Sequence, residues 1–244
     1  MNTELVIESG LQVIGRLIDR PSVQDLDNDL FFNKLENTDI IEIKGTISSG
    51  VSILLSKLIA KCILPLQYNG LGVEVLFINT ENQFQMSNLY NVVRSNVCDF
   101  HGPINVDNLV KEMLNNLKII NCYNHSQFLL ILNSLDNILL KYKGIGFIIV
   151  DSISAYYWQQ KDYLSYDLYL IKMLNSIKKK TIDFKVVILY TKQFNFESKK
   201  KTVYWYEESK IIRYKICLTK NENSNELICD IKSGNDKKQL HYKI

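Results

Sequence analysis

Apolar positions along the chain switch repeatedly between a helical and a strand period. Near the start, Ile7, Leu11, Ile14 and Ile18 recur at helical spacing and predict a short helix, through about Arg20, with one apolar stripe. Pro21 to Asp39 is rich in Asp and Asn and predicts an irregular connection anchored by Leu30-Phe31-Phe32. From Ile40 strands and helices alternate. Ile40-Ile41-Glu42-Ile43 predicts a strand, Gly45 to Ser52 a loop, and Ile53 to Cys62 a helix closed by Pro65. Val73 to Ile78 predicts a second strand, and Phe84 to Val97 a second helix. Lys118 to Asn121 reads as a short strand before one long helix, Ser126 to Tyr142, with Phe128, Leu132, Leu135 and Leu139 on its apolar face. Gly146 to Val150 is almost continuously apolar, as expected of a parallel strand covered on both faces. A helix over Tyr166 to Lys179 and a strand over Lys185 to Tyr190 follow, and the tail from Ile211 holds two or three strand candidates without helices between them.

That alternation predicts an α/β fold: a mainly parallel sheet flanked by helices, with an antiparallel C-terminal extension at one edge. No repeat or low-complexity linker divides the chain, so one core domain is expected over residues 40–244, preceded by the helix and connecting segment of residues 1–39. A length of 244 residues suffices for such a core. Hydrophobic residues at 46% and charged residues at 23% are soluble-protein values, and no apolar run reaches the roughly 18 residues of a membrane span. Met1-Asn2-Thr3-Glu4 lacks the features of a secretory signal, so the expectation is an intracellular chain without a membrane partner.

Net charge is +3, too little for a strongly basic nucleic-acid binder, so any DNA contact must come from a local cluster. Lys178-Lys179-Lys180 ends a predicted helix, where cations complement the helix dipole. Lys199-Lys200-Lys201 stands just before Tyr204, Trp205 and Tyr206. Charge beside rings is the composition of a single-strand binder, and equally of a solvated insertion. Five scattered cysteines suggest no disulfide framework. Cys122 and His125 have C-x-x-H spacing but no second pair, short of the four ligands of a structural zinc site.

One loop carries chemistry. Gly45-Thr46-Ile47-Ser48-Ser49-Gly50-Val51-Ser52 follows a predicted strand and opens a helix, the setting of a phosphate-cradling G-x-x-x-x-G-K-[ST] loop. Gly45, Gly50 and Ser52 fit; Val51 stands in place of the lysine. A lysine there would give the terminal phosphates a charge-assisted bond of about 1.5–3 kcal/mol and would stabilise transition-state charge. Three strand ends supply context. Glu81 lies just beyond the second strand, Asp151 ends the apolar Ile148-Ile149-Val150 run, and Gln193 follows Thr191-Lys192. Singly, Glu81 reads as a solvated acid, Asp151 as a helix cap and Gln193 as a surface amide. In this order, each after a strand, they read together as a nucleotide pocket.

With these motifs the chain resembles the RecA-like recombinase paralogues of homologous recombination. The stretches that carry the resemblance are Glu8-Ser9-Gly10 with Leu17, Ala60 to Pro65, Val73 to Ile78, and Asp151 to Trp158. It runs from residue 8 to about 100 and from about 144 to 193, and fades elsewhere. The resemblance implies a RecA-like P-loop ATPase core, with Glu81 at the water-activating position, Ser52 and Asp151 toward Mg2+, and Gln193 toward the γ-phosphate. It further implies a nuclear subunit of a paralogue complex that assists recombinase filaments at DNA double-strand breaks. Such a subunit contacts one neighbouring paralogue directly and meets single-stranded or branched DNA through the complex. Its first core strand at residue 40 leaves no room for a preceding helical DNA-binding domain, and residues 199–205 fall where this fold places a mobile DNA loop. Val51 departs from the family pattern and speaks against ATP and Mg2+, so the expectation is a non-catalytic assembly subunit. Asn79, where aspartate is usual, is a second departure. Three alternatives stay open: a DNA-dependent ATPase completed at a shared subunit interface, a subunit of an Elongator-type tRNA-modification complex, and an unrelated doubly wound α/β protein. The Ile7, Leu11, Ile14 and Ile18 stripe either packs on its own domain or docks on a partner, and Tyr156, Tyr157 and Trp158 are expected to pack beside the sheet.

Overall fold

Eight strands form one sheet in the order β3-β2-β4-β5-β1-β6-β7-β8 in the computed structural model, which describes residues 9–45, 48–101, 106–193, 211–220 and 226–242. β1 (Ile40–Gly45), β2 (Glu74–Asn79), β3 (Leu117–Asn121), β4 (Ile145–Asp151), β5 (Val187–Gln193) and β6 (Tyr214–Lys220) are parallel. β7 (Leu227–Ser233) and β8 (Asp236–Tyr242) are antiparallel. The antiparallel extension therefore starts at β7, because the first tail strand lies in parallel beside β1.

Burial on both faces explains the unbroken apolar runs. In β4, Phe147 and Ile149 join one cluster while Ile148 and Val150 join the other, the two-residue period of a central strand. The first cluster packs under α2 (Val51–Ile63), α3 (Met86–His101) and α4 (Val106–Leu114). The second packs under α5 (His125–Asn133), α6 (Leu135–Lys141) and α7 (Tyr166–Thr181).

The expected single helix over 126–142 is two. The break falls at Ser134 (φ −99°, ψ 3°), whose amide donates to Leu130 O and Ile131 O at 3.1 and 3.0 Å. Its hydroxyl bonds Leu130 O at 2.9 Å, the competition with the helix ladder that such side chains offer. α4 was not anticipated, although Val106, Val110 and Met113 bury one helical face.

The N-terminal helix, α1 (Gly10–Leu17), starts at a capping box between Ser9 and Gln12. It rests on the sheet's flank through Gly15, where an added methyl would approach the Phe184 ring to 3.2 Å. Leu11 and Ile14 are exposed, so these two positions of the stripe are not covered by the described residues. The helix ends one residue before Ile18, which turns extended and half-buried, and Leu17, 75% exposed, takes its place at the end of the stripe. Ile7 lies outside the described residues. Beyond α1, Arg20 crosses to the carbonyls at the end of α6. Val23, Leu26, Leu30, Phe31 and Leu35 then join the core of the sheet, with Phe31 edge-on to Tyr214 at 5.2 Å.

Candidate functional site

Parallel strands deliver their carboxyl ends to one edge of the sheet, where open α/β folds hold ligands. Here Gly45 stands beside Gln193 and Asn79 beside Asp151, in register. Glu81, two residues past β2, is folded back over that edge. Its Oε1 accepts from Ser152 Oγ at 2.6 Å and from Gln193 Nε2 at 2.7 Å. The Gln193 amide donates to Ser154 Oγ at 3.0 Å, and Tyr166 Oη donates to the Gln193 carbonyl at 3.2 Å. Glu81, Asp151 and Gln193 are thus brought together as the sequence predicted. Neither Glu81 nor Gln193 is a freely solvated side chain.

Asp151 accepts from Thr191 Oγ1, and its carbonyl takes the Thr80 amide at 2.8 Å. The Asp151–Ser152 peptide is cis. Burial pushes the Asp151 carboxyl above its ordinary value; the Thr191 hydrogen bond pulls it down, and the Glu81 charge pushes it further up. Asn79 is committed locally, donating to Asn121 Oδ1 at 2.8 Å and accepting the Asn82 amide at 3.0 Å.

The glycine loop keeps its turn geometry. Ser48 and Gly50 have φ of +61° and +83°, and Gly50 caps the start of α2 in a left-handed conformation that favours glycine. Thr46 and Ile47 lie outside the described residues. A methyl on Gly45 would overlap Ser49 Oγ and the Val51 side chain, and one on Gly50 would overlap Leu227. Val51 is turned onto Gly45 and the core beneath it. Ser49 Oγ is buried without a hydrogen-bond partner among the described residues, and Ser52 is exposed. The turn and Ser52 suit a phosphate, but valine donates no bond and carries no charge, and Glu81 already holds two donors. The residues do not fit a nucleotide that is to be hydrolysed.

A buried ion pair escaped the sequence reading. Glu42 Oε2 faces Lys192 Nζ at 3.0 Å and accepts from Tyr190 Oη at 2.7 Å, with both charged side chains about 95% buried (5% and 4% exposed). The signal was available in the alternation: Glu42 shares a phase with Ile40, and Lys192 with Tyr190 and Ile188, all on the face covered by α7.

The remaining predicted residues fare differently. Tyr156 is buried and donates to Cys122 O at 2.6 Å, and Tyr157 is half-buried against Tyr166, as expected. Trp158 is 54% exposed rather than buried beside the sheet, with its ring 6.1 Å from that of Tyr157 and Lys161 Nζ 5.4 Å from its centre. Lys180 pairs with Asp136 at 2.7 Å, which ties α7 to α6. His125 lies against Tyr156 and Tyr169, and no group of three metal-ligating side chains occurs among the described residues. Lys199, Lys200, Lys201, Tyr204 and Trp205 lie outside the described residues. No helix among the described residues is long and apolar enough to cross a membrane.

The family model for Rad51 matches residues 20–217. The chain belongs to the Rad51 family. Its sheet, with mostly parallel strands, flanking helices and antiparallel C-terminal strands, is the RecA-like core expected of a Rad51-family chain. Among curated proteins it is similar to "DNA repair protein XRCC2" of Mus musculus, 34% identical over 153 residues. That match covers 62% of this chain and 53% of the mouse protein, so the Rad51-family chain spans about half the length of that relative.

Proposed function

We propose that this Rad51-family chain serves DNA double-strand break repair by homologous recombination as a non-catalytic subunit of a paralogue complex in the nucleus. One observation carries the reading: a whole RecA-like core holds valine where the loop needs a cation, while its strand-end glutamate is bound by the chain's own donors. Similarity to a mouse protein named for DNA repair supplies the setting. The partner is another Rad51-family subunit, met through the exposed Leu11, Ile14 and Leu17 on α1 beside the exposed Ile182. An apolar stripe on a short helix suits the groove of a folded partner. DNA is met through the complex.

The test is purification of the tagged full-length chain from nuclear extract, with partners identified by mass spectrometry. A Rad51-family partner is expected, and the Ile14→Asp, Leu17→Asp variant should lose it while its stability stays within about 0.5 kcal/mol, as for exposed positions. ATP turnover should not exceed that of a Glu81→Gln, Asp151→Asn variant. Turnover clearly above that variant, or recovery of tRNA-modification subunits in place of a Rad51-family chain, would overturn the proposal.

A further inference from the structure

Four residues at the strand ends close a ring of hydrogen bonds, one link of it through the Gln193 backbone N–H. Ser152 Oγ donates to Glu81 Oε1 at 2.6 Å, and Ser152 and Ser154 hydroxyls meet at 3.3 Å. Ser154 Oγ takes the Gln193 amide at 3.0 Å, and Gln193 Nε2 returns to Glu81 Oε1 at 2.7 Å. Proton directions follow from the carboxylate. Glu81 can only accept, so Ser152 spends its proton on Glu81 and Ser154 must donate to Ser152. Ser154 then has lone pairs left for the Gln193 amide. Two of the four links end on the one acceptor atom, Glu81 Oε1, and it sets the proton direction of a third. Ser152 and Ser154 are 3% and 1% exposed, so bulk water does not reach these hydroxyls and a lost partner is costly.

The ring joins three segments that are far apart in sequence: the second residue past β2, the turn past β4 and the last residue of β5. Neighbouring bonds run in the same sense, with Ile153 N donating to Thr191 O at 3.0 Å and Thr80 Oγ1 to Ser152 O at 2.7 Å. Gln193 has its amide, its carbonyl and its side-chain nitrogen engaged at once. Contact with an added phosphate would require it to leave a carboxylate.

We propose that Glu81, Ser152, Ser154 and Gln193 form a ligand-independent lock that fixes the end of β5 to the ends of β2 and β4, with Glu81 as its positioning residue. The inference rests on the non-catalytic reading and deepens it: the same glutamate that would activate water holds the sheet's edge in one conformation instead.

Hydrogen exchange on the full-length chain tests the lock. Glu81→Ala should speed exchange of the Gln193 and Ile153 amides by about tenfold or more, the scale of one charge-assisted bond. Glu81→Gln, whose amide oxygen accepts the same two protons, should stay within about threefold of wild type. Millimolar ATPγS with Mg2+ should leave wild-type exchange at Gln193 unchanged. If Glu81→Ala fails to fold, Ser154→Ala removes the acceptor of the Gln193 amide with less disturbance, and the same acceleration is expected. Exchange at Gln193 that responds to nucleotide in the wild type, or that ignores Glu81→Ala or its substitute Ser154→Ala, would overturn the lock. An ATPase assay on the same samples separates the two ideas, since turnover would overturn the non-catalytic reading by itself.

Discussion

Replacing Arg20 should cost as much stability as truncating one of the buried core side chains of the N-terminal segment. Arg20 is 6% exposed, and its guanidinium reaches four carbonyls: Leu139 O at 2.5 Å, Ile145 O at 2.7 Å, Tyr142 O at 3.2 Å and Lys143 O at 3.3 Å. Leu139 belongs to the last turn of α6, whose carbonyls lack partners within the helix and favour a cation. Phe184 supports the group from one side, 5.4 Å from ring centre to guanidinium carbon. Burial lowers the Arg20 pKa to about 10, with Glu74 pulling it back up, so the side chain stays charged at neutral pH. Two of the four bonds are short. At about 1.5–3 kcal/mol for each bond from a charged donor, and with the longer pair counted as weak, Arg20→Ala should lose about 3–5 kcal/mol. That is a fifth or more of the roughly 5–15 kcal/mol that holds a domain together. Arg20→Lys keeps the charge but not the fork, and should lose about half as much. The gap is narrowed because Arg20 Nε is itself buried without a partner among the described residues, a penalty lysine does not carry. Urea unfolding followed by circular dichroism measures both. A loss under about 1 kcal/mol for Arg20→Ala would mean that water replaces the guanidinium and that the capping argument is wrong.

Asp151→Asn keeps an acceptor for Thr191 and should stabilise the chain in a pH-dependent way. Because burial raises the native pKa, the proton on Asp151 contributes stability that is full below the unfolded carboxylate value, about 4, and lost as pH rises through the native value. The variant's melting advantage should therefore grow from acid to neutral pH; a flat difference would contradict it. Glu42→Ala removes the carboxylate that Lys192 faces in the interior and should cost about 3–5 kcal/mol in chemical denaturation, against under 1 if the pair is dispensable. Gly50→Ala forces a side chain into a left-handed conformation and onto Leu227, and should cost about 1–3 kcal/mol; a neutral result would place Leu227 elsewhere. Replacing Lys199, Lys200 and Lys201 by alanine should flatten the salt dependence of single-strand binding by the paralogue complex by about two log–log units, at roughly 0.7 per phosphate contact. An unchanged slope in fluorescence anisotropy would assign DNA contact to other subunits.

The strand ends were legible because period and order suffice for them: an apolar run that stops at Asp151 in a parallel sheet must stop at the same edge as one that stops at Asn79. The ring over that edge was not. It depends on how the turn after β4 folds Ser152 and Ser154 back, and no hydrophobic period reports on a turn. The break at Ser134 failed for a related reason, since Leu132, Leu135 and Leu139 keep helical phase across it and one hydroxyl decides the backbone. At α1 the apolar spacing ran one residue past the end of the helix, so Ile18 was taken for a stripe that Leu17 completes. Glu42 was passed over because its strand was read by its isoleucines. A charged residue in a buried phase was the readable sign of a partner across the sheet.

Biosynthesis meets β1 first and completes it late. The strand that feeds the glycine loop lies between β5 and β6, and Glu42 finds Tyr190 148 residues downstream. At ribosomal rates of about 5–20 residues per second, the emerging strand waits roughly 7–30 s with both edges unpaired. Unpaired edges of an isoleucine-rich strand are templates for wrong pairing, and contacts this distant in sequence form slowly even in a finished chain. One of the two central strands of the sheet is therefore open at both edges throughout the wait for β5 and β6, and that interval is when wrong pairing competes with folding.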